Sequence, residues 1–73
     1  MAQSAREYDR IRTVLAETDT DEPLTAREIL QLLDARGESF ESAHRVATVL
    51  GRRARRGDVT VVESSPYRYR LDA

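Results

Sequence analysis

Apolar residues recur along this chain with two different periods. Up to residue 54 they fall three or four apart, as on a helix, and from residue 59 to residue 71 they alternate, as on a strand. Tyr8, Ile11 and Leu15, with Val14 beside them, predict a first helix over about residues 5–17. Ser4-Ala-Arg-Glu7 ahead of it has the form of a capping box, in which the Ser hydroxyl accepts from the third helical N–H and the Glu reaches back to the cap. Met1 to Gln3 is expected to fray. Ala26, Ile29, Leu30 and Leu33, widened by Leu32, predict a second helix that serves as the central core element. Its start is the clearest in the chain: Thr25-Ala-Arg-Glu28 is another capping box, and Leu24 and Ile29 are spaced for a hydrophobic staple. Pro23 suits an extended entry with room for a short first strand, and Gly37 supplies a left-handed stop.

A turn follows, with Phe40 as the residue that pins it to the core. Ser39 and Ser42 can both start a third helix; Ser42 is preferred as N-cap because it leaves Phe40 in the turn. Ala43, Val46, Ala47, Leu50 and Ala54 then share one side, while Arg45, Thr48, Arg52 and Arg55 share another at steps of three, four and three. Gly57 is the natural stop. Gly51 is out of place, since a glycine inside a helix costs about 1 kcal/mol relative to alanine. Either another backbone approaches it or the helix is weak there. Residues 59–63 and 67–71 read as two strands of a hairpin around Ser64-Ser65-Pro66. Pairing Val61 with Tyr69 and Val59 with Leu71 collects the apolar side chains on one face and leaves Arg68 and Arg70 on the other. That register leaves a three-residue loop.

Seventy-three residues make one small domain, near the lower limit for a self-sufficient core. There is no Cys, which rules out disulfides and thiolate metal sites. No apolar run has the length of a membrane span and no signal-peptide pattern opens the chain, so a cytoplasmic protein is expected. The net charge of −1 hides an asymmetry. Residues 1–41 carry five Arg against ten acidic residues, a balance of −5, and residues 42–73 carry seven Arg against three, a balance of +4. Every basic residue is Arg and none is Lys, which suits forked contacts with phosphate.

The segments Leu24-Thr-Ala-Arg-Glu-Ile-Leu, Arg45-Val-Ala-Thr-Val-Leu-Gly-Arg-Arg-Ala-Arg-Arg-Gly-Asp-Val and Tyr67-Arg-Tyr-Arg-Leu together resemble the winged helix-turn-helix domains of prokaryotic transcription regulators. Those domains show a Leu-Thr helix start, a recognition helix ending in Arg-Gly, and a hairpin closing on Tyr-Arg-Leu. The resemblance spans about residues 8–71 and implies an α+β fold of three helices followed by a C-terminal β-hairpin wing. The chain departs from the family's pattern in two places. It has Arg53 or Ala54 where a large apolar residue is usual, and Gly51 where glycine is seldom found.

The resemblance further implies a DNA-binding transcription regulator with double-stranded DNA as partner. Ser42, His44, Arg45 and Thr48 would enter the major groove, with Arg45 in the forked contact to guanine O6 and N7. Arg52, Arg55, Arg56, Arg68 and Arg70 would contact phosphates, joined by Arg27 near the start of the second helix, while Arg53 faces inward. Cations in the last turn of a helix also offset its dipole, so the Arg cluster has a structural explanation as well. The rival functional class is a winged-helix protein-interaction module whose acidic first helix and link meet a basic partner.

Other chemistry finds little footing. Asp19 and Asp21 are spaced as in a Ca²⁺ loop, but its sixth position is Leu24 and its twelfth Leu30, so a solvated link is expected. His44 is the only His and lacks companions for zinc or for catalysis. Tyr67 and Tyr69 can stack on bases, although packing in the hairpin explains both. Three isolated glycines make no phosphate loop. Neither an enzyme nor a cofactor is expected.

Overall fold

A computed structural model describes residues 2–18 and 22–72, without the side chains of residues 2–5. The order of elements is α1 (Ala2–Glu17), β1 (Leu24–Thr25), α2 (Ala26–Ala35), α3 (Ala43–Ala54), β2 (Val59–Val62) and β3 (Arg68–Leu71). Three helices thus pack with a three-stranded antiparallel sheet in an α+β arrangement. Asp19 to Asp21, at the centre of the acidic link, lie outside the described residues, as does Met1.

α2 begins as its sequence dictates. The Thr25 hydroxyl accepts from the Glu28 backbone N–H at 3.1 Å, and the Thr25 N–H donates to the Glu28 carboxylate at 2.9 Å. Both halves of the capping box are therefore made. α3 is capped by Ser42, whose hydroxyl accepts from the Arg45 N–H at 3.2 Å. Gly37 and Gly57 take positive φ, at 78° and 87°, and close both helices in the same way. Glu38 N–H donates to Leu33 O and Gly37 N–H to Asp34 O; Asp58 N–H donates to Arg53 O and Gly57 N–H to Ala54 O. Each pair is a Schellman closure, which needs a left-handed residue at the bend.

The start of α1 differs from expectation. The helix begins at Ala2, so Ala2 and Gln3 belong to it and Ser4 lies inside it rather than at its cap. The Glu7 carboxylate accepts from Arg45 on α3. The local capping signal loses here to a stronger, charge-assisted partner distant in sequence.

Tyr8, Ile11 and Val14 of α1, Ile29 and Leu33 of α2, Val46, Val49 and Leu50 of α3, and Val59 and Tyr69 of the sheet form one core. Leu24, Leu30, Phe40, Val61 and Leu71 pack around it. Val49, three residues after Val46 and so on the same helical face, is a core residue as well. It sits beside Val46 and Leu50 and widens the buried face of α3.

The sheet order is β1-β3-β2, so β3 is central. Its register on β2 pairs Val59 with Leu71 and Val61 with Tyr69, as the alternation requires. The added strand β1 pairs Leu24 with Tyr69 and Thr25 with Arg68, fixing the entry to α2 against the hairpin. Regular pairing ends at Val62 and Arg68, so the hairpin loop runs over residues 63–67, longer than the alternation implied. Tyr67 belongs to this loop and is 52% exposed, not packed in the core. The loop contains a cis Ser65–Pro66 bond, and the Ser64 hydroxyl donates to Pro66 O at 2.8 Å.

Candidate nucleic-acid interface

α3 presents its polar side in a line. With Val46, Val49 and Leu50 buried, helical periodicity turns His44, Thr48, Gly51 and Arg55 away from the core at steps of four, three and four. His44 and Arg55 are exposed and Thr48 is half-buried, its hydroxyl donating to the His44 carbonyl at 3.0 Å. Ser42 is occupied as the N-cap. An open groove of about 450 Å³ runs beside the start of this line, walled by Arg27, Ala43, His44, Ala47, Pro66 and Tyr67 among others. The starts of α2 and α3 and the hairpin tip thus converge on one surface.

The seven Arg of the C-terminal half divide into two sets. Arg45 is half-buried, and both its Nε and its Nη2 donate to Glu7, Nε at 3.1 Å from each carboxylate oxygen. Expected at a guanine, its fork is instead filled from α1 and ties α1 to α3. Arg53 also turns inward. Its guanidinium carbon lies 4.3 Å from the centre of the Tyr8 ring, and its Nη1 is 3.3 Å from Asp58 Oδ2. The Arg stem and flat guanidinium cover Tyr8 as an apolar side chain would, with a cation–π contact added. Burial, with the Asp58 charge adding to it, pushes the Tyr8 hydroxyl pKa up, so this ring is a neutral donor well beyond neutral pH.

The remaining Arg face solvent. Arg55, Arg56 and Arg70 have no ion-pair partner among the described residues. Arg52 is exposed on α3, and its charge reaches Glu7. Arg68 approaches Glu28 at 3.5 Å across an exposed pair, a contact of a kind that exchanges readily with other anions. Arg27 is exposed on the first turn of α2. The expected cations are therefore not one continuous face. Arg27 borders the groove, Arg55 and Arg56 lie at the far end of α3, and Arg68 and Arg70 alternate with Tyr69 on the other face of the sheet, Arg68 beside Glu28 and Arg70 opposite Thr60.

Glu7 links this surface to pH. The hydrogen bonds from Arg45 hold its carboxyl below the usual range against the opposing effect of burial, and the charges of Arg45, Arg10 and Arg52 add to the effect. Glu28 is lowered too, chiefly by the Thr25 N–H. A carboxylate whose folded pKa is depressed adds stability above its unfolded pKa and loses it as the pH falls through the folded value. The melting temperature should therefore drop as the pH is lowered below about 4.3, the ordinary Glu value. Glu7→Gln should flatten that drop while lowering the melting temperature at pH 7. Melts of both proteins across the acid range check this; parallel curves would mean that Glu7 is not the linked group.

Among the described residues no helix is long and apolar enough to cross a membrane, and no group of three His, Asp or Glu gathers as a metal site. The chain matches no protein family, no curated protein and no solved structure.

Proposed function

We propose that this chain is a winged helix-turn-helix domain that binds duplex DNA. α2 and α3 form the helix-turn-helix, the first half of α3 enters the major groove, and the β2–β3 hairpin is the wing. The observation that carries the reading is the convergence of the exposed line of α3, the start of α2 and the hairpin tip along one groove, with Arg27 in its wall. His44 and Thr48 face the base edges in this arrangement. Arg27 and Arg68 near the wing, and Arg55 and Arg56 at the end of α3, contact phosphates, which set orientation and carry no sequence information. Arg45 acts from behind, as the strut that holds α3 on α1, rather than as a reader of guanine. A transcription regulator is the role such a domain suits best.

Salt titration of binding to random duplex DNA tests the reading. Binding should be measurable at low salt and fall linearly on a log–log plot, with a slope of about −0.9 for each phosphate neutralised. The acidic half of the chain makes non-specific binding weak, so low salt is the place to begin. A protein-interaction module is favoured by one feature, the half-exposed Val62 and Tyr67 at the hairpin tip beside a groove with alanine walls. Absence of DNA binding at low salt, with stable capture of one protein partner, would put that reading in place of this one.

A further inference from the structure

We propose that Gly51 is where the sugar-phosphate backbone of duplex DNA passes closest to α3, an inference that rests on the DNA-binding reading above. A glycine inside a helix usually answers to a need of its own protein. Either a neighbour leaves no room for a side chain, or the backbone takes a positive φ. Gly51 meets neither condition. It lies within α3, is not among the residues of positive φ, and a Cβ built on it would meet no atom within 4 Å. Nothing inside the fold requires it, although glycine disfavours the helix relative to alanine. The remaining use of a missing side chain is outside the molecule, as room for a close approach.

The place of Gly51 on the helix says what approaches. It continues the outward line of His44 and Thr48, and Arg55 follows one turn later. A helix with its N-terminal residues over base edges must cross the rim of the groove further along. At the helical rise Gly51 lies about 4.5 Å beyond Thr48, and Arg55 about 6 Å beyond Gly51. The major groove is about 12 Å wide, so with Thr48 near its middle the bordering phosphates come level with Gly51 and Arg55. Arg55 and Arg56 are exposed there without an ion-pair partner among the described residues, the complement that a strand of phosphates needs. A methyl group at position 51 would stand in the gap, hold the strand off the helix and lengthen the reach of both Arg to the phosphates.

Gly51→Ala tests this by moving two measurements in opposite directions. The thermal midpoint should rise, because alanine favours the helix and its Cβ clashes with nothing in the free protein. Affinity for random duplex DNA at fixed low salt should fall about tenfold, the scale on which one well-formed DNA interaction acts. The salt slope should become shallower by about one. Arg55→Ala should weaken the same binding without raising the midpoint. A Gly51→Ala protein with a raised or unchanged midpoint and wild-type affinity would overturn the proposal and leave the DNA reading standing. A lowered midpoint would overturn it too, since position 51 would then not be open. Failure of the wild-type protein to bind duplex DNA at low salt would remove the DNA reading and this inference with it.

Discussion

Leu33→Ala and Leu50→Ala are each expected to lower the unfolding free energy by about 2–5 kcal/mol, the range for emptying a buried leucine site. Both side chains are fully buried, Leu33 on α2 and Leu50 on α3, and both belong to the core shared by the helices and the sheet. A domain of this size has a total stability of only about 4–11 kcal/mol at the usual 0.05–0.15 kcal/mol per residue. Either variant would thus remove a large part of it, and the pair together would leave the chain unfolded. Tyr67→Ala, at an exposed loop position, should change stability by less than about 0.5 kcal/mol and serves as the contrast. Urea unfolding at constant m-value measures all three. A loss under about 1 kcal/mol at either leucine would mean that the core is not built around it.

Features governed by local chemistry were legible in the sequence. The Thr25–Glu28 box, the Ser42 cap and the Gly37 and Gly57 stops each depend on residues within a few positions, and each forms as the spacing demands. The hairpin register was legible because an alternation of period two permits only one face inward. What was not legible depended on partners far along the chain. Two residues, Leu24 and Thr25, show no periodicity, so the central place of β3 between β1 and β2 could not be read. Ser4–Glu7 has the same form as the box that does cap α2. Nothing local tells them apart, because Glu7 is drawn away by an Arg 38 residues further on. Tyr67 fits the alternation of Tyr69 and Leu71, yet the chain bends before it and leaves it outside.

The candidate site was legible in charge but not in geometry. The excess of Arg in the C-terminal half is a property of composition, whereas the direction of each Arg is set by which carboxylate or ring it meets. Arg45 meets Glu7 and Arg53 meets Tyr8 and Asp58, so these two serve the fold. Arg55, Arg56 and Arg70 are exposed without an ion-pair partner among the described residues, and Arg68 meets Glu28 only across an exposed pair. Of the Arg45, Thr48, Arg52 and Arg55 line expected from spacing alone, Arg52 and Arg55 are exposed, Thr48 is half-buried and Arg45 turns to Glu7, and the side opposite the core also carries His44 and Gly51.

Replacing Arg55, Arg56, Arg68 and Arg70 together by Ala should abolish measurable DNA binding at moderate salt. At low salt it should reduce the salt slope by up to about 2.7, since Arg55, Arg56 and Arg68 are the three assigned to phosphates and each phosphate no longer neutralised takes away about 0.9. None of the four anchors the core, so the variant should keep the fold, which a melt at the same salt would establish. The variant also tests the separation of these Arg over the surface. If only those near the wing touch DNA, then Arg68→Ala alone should reproduce most of the loss, and the pair Arg55→Ala, Arg56→Ala should change little. His44→Ala and Thr48→Ala should act differently, weakening a preferred site by about 1–3 kcal/mol more than random DNA, because base contacts carry the discrimination. Arg45 separates the strut from the reader through a double-mutant cycle with Glu7. If Arg45 is the strut, Arg45→Ala and Glu7→Gln should each lower the melting temperature, the double variant should be no worse than Arg45→Ala, and preference among DNA sites should be unchanged in all three. If instead Glu7→Gln strengthens binding to a guanine-containing site and Arg45→Ala removes that preference, then Glu7 masks a base-reading residue, and Arg45 is a reader of guanine rather than a strut.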